Sequence, residues 1–152
     1  MTVKSIPAGY HTVNSYLTVR GAAEVIDFLE HAFKAEVMHG PIKRPDGKIM
    51  HAQVKIGDSS VMIAEESEMA KATPSSLYVY VTDVDGVYQK AVKAGGKTVM
   101  EPMDMFYGDR CGCIKDPSGN SWTIATHKED VAPKEMAKRV EAFLKEQKQK
   151  AA

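Results

Sequence analysis

The chain has 152 residues, 43% of them hydrophobic and 26% charged, which suits one domain or two small fused units around an ordinary core. Twenty basic side chains balance twenty acidic ones, and a net charge of zero argues against a nucleic-acid binder, whose footprint is a basic excess or stripe. No apolar run approaches the roughly 18 residues that span a membrane, and "MTVKSIPAGYHTV" has no apolar stretch of signal-peptide type. The expectation is a soluble cytoplasmic protein with neither nucleic acid nor membrane as partner.

In chain order, the first element is an alternating strand in which Asn14, Tyr16 and Thr18 oppose Val13, Ser15, Leu17 and Val19. A helix follows, with Val25, Ile26 and Leu29 on one face by their i, i+1, i+4 spacing. "RPDGK" at 44–48 and "IGDSS" at 56–60 are turn signals. Between them lies a strand with His51 and Gln53 opposite Met50, Ala52, Val54 and Ile56. After them comes a strand with Met62 and Ala64 opposite Val61 and Ile63. Residues 66–75, polar and carrying Pro74, read as a linker.

The pattern then repeats. Tyr78 to Met100 aligns with Tyr16 to Met38 without a gap at an offset of 62, and "SGNSWTIA" matches "GDSSVMIA" at an offset of 61. Each half is read as strand, helix, strand, strand, strand, over about 10–65 and 76–127 of a single domain, 1–152. In the second half Ser76, Tyr78, Tyr80 and Thr82 oppose Leu77, Val79 and Val81, and Thr123 and Ala125 oppose Trp122 and Ile124. The tail, about 133–149, is predicted as a helix with Pro133 in its first turn and a stripe of Met136, Val140, Phe143 and Leu144.

"YGDRCGCIKDPSGNSWTIATH", Tyr107 to His127, fits the pattern YGDR-x-G-x-x-x-DP-x-G-x-x-W-x-x-ATH. With the tandem βαβββ repeat, it resembles the vicinal oxygen chelate superfamily: glyoxalase I, extradiol dioxygenases, fosfomycin-modifying enzymes and bleomycin-resistance proteins. The PhnB-like branch is the best match. "YLTVRGAAEVIDFLEHAFKAE" resembles the usual first unit, with Leu29 where Tyr is common and Lys34 where Gly is frequent. The resemblance covers Tyr10 to Asp130. It implies an α+β fold in which tandem βαβββ repeats form a U-shaped mixed sheet with a concave cleft, helices outside, plus the C-terminal helix.

On that fold the more apolar side of each strand packs under the helices and the mixed side lines the cleft. The ligand-binding cleft is then Asn14, Tyr16, His51, Gln53, Met62, Ser76, Tyr78, Tyr80, Cys111, Cys113 and Thr123. The loop "EPMDMFYG" and the pair Asp109-Arg110 put Phe106, Tyr107 and Arg110 at the cleft mouth. Cys111 and Cys113, two apart on a strand, stand about 6.5–7 Å from each other with parallel side chains. That disfavours a disulfide, and the thiols are expected to line the pocket.

Glyoxalase-type members hold a divalent ion with His, Glu and Gln side chains. The resemblance carries those positions onto Asn14, Met62, Ser76 and Thr123, none of them a carboxylate or imidazole, and a thioether is a poor ligand for a hard ion. No metal, no other cofactor and no catalytic residue are therefore predicted. The expected function is metal-independent binding or sequestration of a small organic ligand by a homodimer. One alternative is a metal-dependent lyase, isomerase or dioxygenase with an atypical site, such as His51 with Glu65 or His11. The other is a non-catalytic interaction module that uses the C-terminal helix.

Overall fold

The structure is a computed structural model and describes residues 2–152. Its elements are β1 (Ser15–Val19), α1 (Ala22–Phe33), β2 (Glu36–Val37), β3 (Ile42–Lys43), β4 (Ile49–Ile56), β5 (Ser59–Glu65), β6 (Ser76–Tyr80), α2 (Val84–Lys93), β7 (Lys97–Asp104), β8 (Asp109–Lys115), β9 (Ser121–His127) and α3 (Pro133–Ala151). No helix among the described residues is long and apolar enough to cross a membrane.

The two halves share one topology. The strand order is β1-β5-β4-β2 in the first, with β3 also on β4, and β6-β9-β8-β7 in the second. In each half the first strand pairs in parallel with the last, and the other pairings are antiparallel. Tyr16 lies opposite Met62, and Tyr78 lies opposite Thr123. These pairs are related by the sequence offsets of 62 and 61, so the repeat is one of three-dimensional structure. In the first half the second strand is broken into β2 and β3 around Pro41, which has no N–H to give a ladder.

The expected U is built as two mixed sheets rather than one. No strand of the first pairs with a strand of the second among the described residues. What joins them is the helical side. Val25, Phe28, Leu29 and Ala32 of α1 are buried together with Leu17, Val19, Ala52, Val54 and Ile63, and Tyr88 and Ala91 of α2 with Ile114, Trp122 and Ile124. The helices pack on each other, and the Phe33 ring sits 5.3 Å from that of Trp122. One core thus runs through both halves.

Each helix start is held by the end of the last strand of its half. The Glu65 carboxylate accepts from the N–H groups of Gly21 (3.0 Å) and Ala22 (2.8 Å), donors that the first turn of a helix leaves unpaired. One repeat later, Thr126 Oγ1 accepts from Val84 N (3.1 Å), and Asp83 caps α2 by accepting from Gly86 N (3.0 Å). The "DPSGN" turn joins the halves. Buried Asp116 accepts from Ser118 N, Asn120 N, Asn120 Nδ2 and Trp122 Nε1, all at 2.9–3.0 Å. Ser118 Oγ accepts from Arg20 N, and Asn120 Oδ1 from Ser75 N.

α3 has no buried residue. It is fastened by its middle: Arg139 donates to both oxygens of Glu129 (2.8 and 2.9 Å) and to the Phe106 carbonyl (3.2 Å), and Phe143 lies 4.8 Å from the Phe106 ring.

Candidate functional site

Side-chain alternation leaves each sheet with one face on the core and one open face. On the open face of the first sheet, the Tyr16 ring is 53% exposed and 6.1 Å from the His51 ring. Gln53 donates to Ser60 Oγ (3.2 Å), and Met62 lies opposite Gln53 in the ladder. Asn14 precedes β1 and turns its amide back on the chain, accepting from His11 N and donating to His11 O.

The open face of the second sheet carries a connected polar cluster. Asp109, at the start of β8, is 4% exposed. Its Oδ2 accepts from the hydroxyls of Tyr78 (2.7 Å) and Tyr80 (2.9 Å) on β6, and its Oδ1 pairs with His127 Nδ1 (2.8 Å) across the β8–β9 ladder. His127 Nε2 meets the Asp130 carboxylate at 2.8 Å. The Tyr107 hydroxyl lies 3.5 Å from that of Tyr78 and 3.7 Å from Cys111 Sγ. Cys113 and Thr123 face each other in the adjoining rungs, and Ser76 is exposed at the strand start.

The donors dictate the protonation pattern. An ionised carboxylate only accepts, so both tyrosines donate to Asp109. His127 lies between two carboxylates, an arrangement that favours the imidazolium, in which both ring nitrogens donate. Its pKa is raised, first by the Asp109 bond and then by Asp130. Burial alone would raise the Asp109 pKa; the bonds from His127, Tyr78 and Tyr80 outweigh it and hold the group below the usual carboxylate range. Tyr80 is pushed up by its bond to Asp109 and then by burial, and Tyr78 by burial and then its bonds to Tyr107 and Asp109.

The rings face the other way. With their hydroxyls tied to Asp109, Tyr78 and Tyr80 remain 45% and 63% exposed, with centroids 5.3 Å apart. They border a groove of about 870 Å³ between the two sheets, lined also by Ser15, Ser60, Phe33 and Trp122. The array offers ring faces and polar groups to a ligand rather than an activated nucleophile.

Three cleft-mouth residues were expected, and the structure separates them. Tyr107 belongs to the cluster. Phe106 packs on α3 instead. Arg110 is a correction: it lies on the opposite, helix-side face of β8, with both ends of its guanidinium on Asp85 of α2 (2.9 Å) and a longer contact to Asp104 (3.4 Å). Asp109 and Arg110 are neighbours on a strand and so point to opposite faces; they form no pair with each other. Asp109 and His127 were absent from the expected cleft. The signal for both was present, since 109, 111 and 113 share one parity and 123, 125 and 127 another.

The positions that resemblance assigns to a divalent ion do not fit one. Asn14 spends its amide on His11, Met62 offers sulfur, and Ser76 and Thr123 offer neutral hydroxyls. No group of three or more His, Cys, Asp or Glu side chains among the described residues is placed to hold an ion.

Comparison with known proteins agrees with the architecture. Residues 10–124 match the model of the Glyoxalase/Bleomycin resistance protein/Dioxygenase superfamily. Uncharacterized proteins of Mycobacterium bovis and Mycobacterium tuberculosis are 34% identical over 123 aligned residues, covering 74% of this chain and 80% and 72% of theirs. TioX from Micromonospora sp. ML1 superposes with a TM-score of 0.62 at 22% identity, over 80% of this chain and all of that one. A PhnB protein from Bacillus cereus, described as a putative 3-demethylubiquinone-9 3-methyltransferase, gives 0.60 at 19%, over 76% and 99%. The repeated topology and this match over most of its length together place the chain in the glyoxalase/bleomycin resistance protein/dioxygenase superfamily.

Proposed function

We propose that the protein binds and sequesters a small, planar organic ligand without a hard divalent ion, and that it does so as a homodimer. The observation that carries this reading is the orientation of Tyr78 and Tyr80. Their hydroxyls are committed to Asp109 and their ring faces are left to solvent beside the groove. Exposed aromatic faces beside a few fixed polar groups make a stacking surface. The two carboxylates of Asp109 and Asp130 outnumber the one imidazole between them, which favours a neutral or cationic ligand. The homodimer is supported by the edges of β1 and β6, which pair with no other strand among the described residues and flank the groove, so that a second chain would complete its wall.

A thermal-shift screen of planar aromatic compounds tests the binding directly. A stabilising compound is expected, and Tyr80→Ala should weaken it about 2- to 13-fold, the loss of one stacking contact. Tyr80→Phe keeps the ring and should bind like the parent. Absence of any stabilising compound would overturn the reading. So would a stoichiometric divalent ion in protein purified without a histidine tag, if chelation removed it together with thermal stability. Light scattering on the eluting protein tests the dimer; a monomer at micromolar concentration sinks that part.

A further inference from the structure

The outer edge of the second sheet gathers four sulfur side chains on its open face. β7 and β8 pair through two bulges: Thr98 lies opposite Ile114, Met100 opposite Cys113, and Met103 opposite Cys111. Each bulge sets one extra residue of β7 against β8. The second is accommodated at Gly112, where a Cβ would stand 3.1 Å from Pro102 N and 3.2 Å from Met100 O. In an unbroken register continuing from Thr98, Met100 would meet Gly112 on the helix side. The bulges carry Met100 and Met103 to the thiol face instead, since directly opposed residues share a face.

Both cysteines are free. Two apart on β8, they stand about 6.5–7 Å from each other, too far for a sulfur–sulfur bond of about 2.05 Å. In a four-sulfur shell, metal–sulfur bonds of about 2.3 Å put neighbouring sulfurs roughly 3.8 Å apart. From the strand spacing, each side chain leans inward by about 1.5 Å to reach that separation. Thiolates and thioethers together select a soft cation.

The surroundings fit ion entry and proton release. Cys111 is 1% exposed and Cys113 half-buried, while Met103 is 50% exposed and opens the site to solvent. From Cys111 Sγ a path runs through the hydroxyls of Tyr107 (3.7 Å) and Tyr78 (3.5 Å beyond) to ionised Asp109 (2.7 Å). Tyr78 donates to Asp109, which leaves its oxygen to accept from Tyr107 and the Tyr107 oxygen to accept from the thiol.

We propose that Cys111, Cys113, Met100 and Met103 bind one soft monovalent cation of the Cu(I) type. Two S–H bonds break and two metal–thiolate bonds form. Both protons leave to solvent, and the ion keeps its charge, so no oxidant or reductant is involved. The site differs from the superfamily's divalent positions in its residues, its ion and its place on the sheet.

The test is an anaerobic titration of the reduced full-length protein with Cu(I) against the chromophoric chelator bicinchoninate, with X-ray absorption on the loaded protein. One Cu(I) per chain and a sulfur-only shell are expected. Since losing even an outer-shell partner costs about 10–100-fold in affinity, removing the ligand itself in Cys113→Ser should cost at least about 100-fold, and Met103→Leu, which removes a weaker thioether, at least about tenfold. Met69→Leu, at a position 99% exposed, should change nothing. In case Cys111→Ser disturbs the buried strand, the double variant Met100→Leu/Met103→Leu keeps both thiols and isolates the thioethers. The proposal is overturned if the chelator keeps the copper, if binding passes one equivalent without a plateau, if nitrogen or oxygen fills the shell, or if the double variant binds like the parent.

Discussion

Asp109 and His127 form a pair whose worth depends on pH in a defined direction. His127 has a folded pKa above its ordinary 6.5. Its stabilising effect is therefore complete below about 6.5 and is lost as pH rises through the folded value. Asp109 has a folded pKa below 3.8, so its effect is present above about 4 and is lost as pH falls through the folded value. The pair is thus fully engaged between these limits. Urea denaturation of the parent and His127→Gln should show their largest difference near pH 5.5 and a shrinking one towards pH 9. A difference that stays flat over that range contradicts the imidazolium assignment. Asp109→Ala removes the acceptor of three donors. With all three bonds only part-buried, the expected loss is about 1–3 kcal/mol.

At the level of elements, the helix ends and the connecting turn carry the sharpest expectations. α1 ends at Lys34 in the left-handed region, φ 55° and ψ 37°, where its N–H reaches Leu29 O. A side chain there is strained by roughly 1 kcal/mol, which glycine avoids. Lys34→Gly should raise stability by about that amount, or about 2–4 °C in the thermal midpoint for a chain of this length. An unchanged or lower midpoint would mean that the lysine side chain makes a compensating contact. The "DPSGN" turn is the opposite case. Asp116→Ala leaves four donors without their acceptor, two of them on buried Asn120 and one on buried Trp122, and should cost about 3 kcal/mol or more. A fall of under 1 kcal/mol in urea denaturation would show that water replaces the carboxylate.

For the molecule as a whole, the shared core and the loosely attached α3 predict very different sensitivities. Trp122→Ala opens a cavity where both halves meet and should cost about 3–5 kcal/mol. Removing residues 133–152 takes away the Arg139–Glu129 pair and the Phe106–Phe143 contact. Both contacts lie at the surface, where an ion pair and a partly exposed aromatic contact contribute little to stability. The shortened chain should therefore still unfold in one cooperative transition; failure to fold would give α3 a larger role than its exposed surface indicates.

Local periodicity was enough to read the two βαβββ units, most of their core-facing strand residues and the turn at "DPSGN", because alternation and i, i+4 spacing are properties of neighbouring residues; Val13 and Met50, expected on the core side, are exposed, and Ile49 is buried in place of Met50 where the β3–β4 pairing is irregular. The repeat offsets even carried the register of Tyr16 with Met62 and Tyr78 with Thr123. Tertiary structure alone decided the rest. That the sheets are two and share a core through α1, α2 and Trp122 depends on packing between segments about 90 residues apart. The meeting of Tyr78, Tyr80, Asp109 and His127 depends on strand order, since β6, β8 and β9 become neighbours only in the folded sheet. The bulges that turn Met100 and Met103 toward the cysteines leave no mark in the hydrophobic pattern, because each shifts the register of a ladder without altering the strand's own sequence.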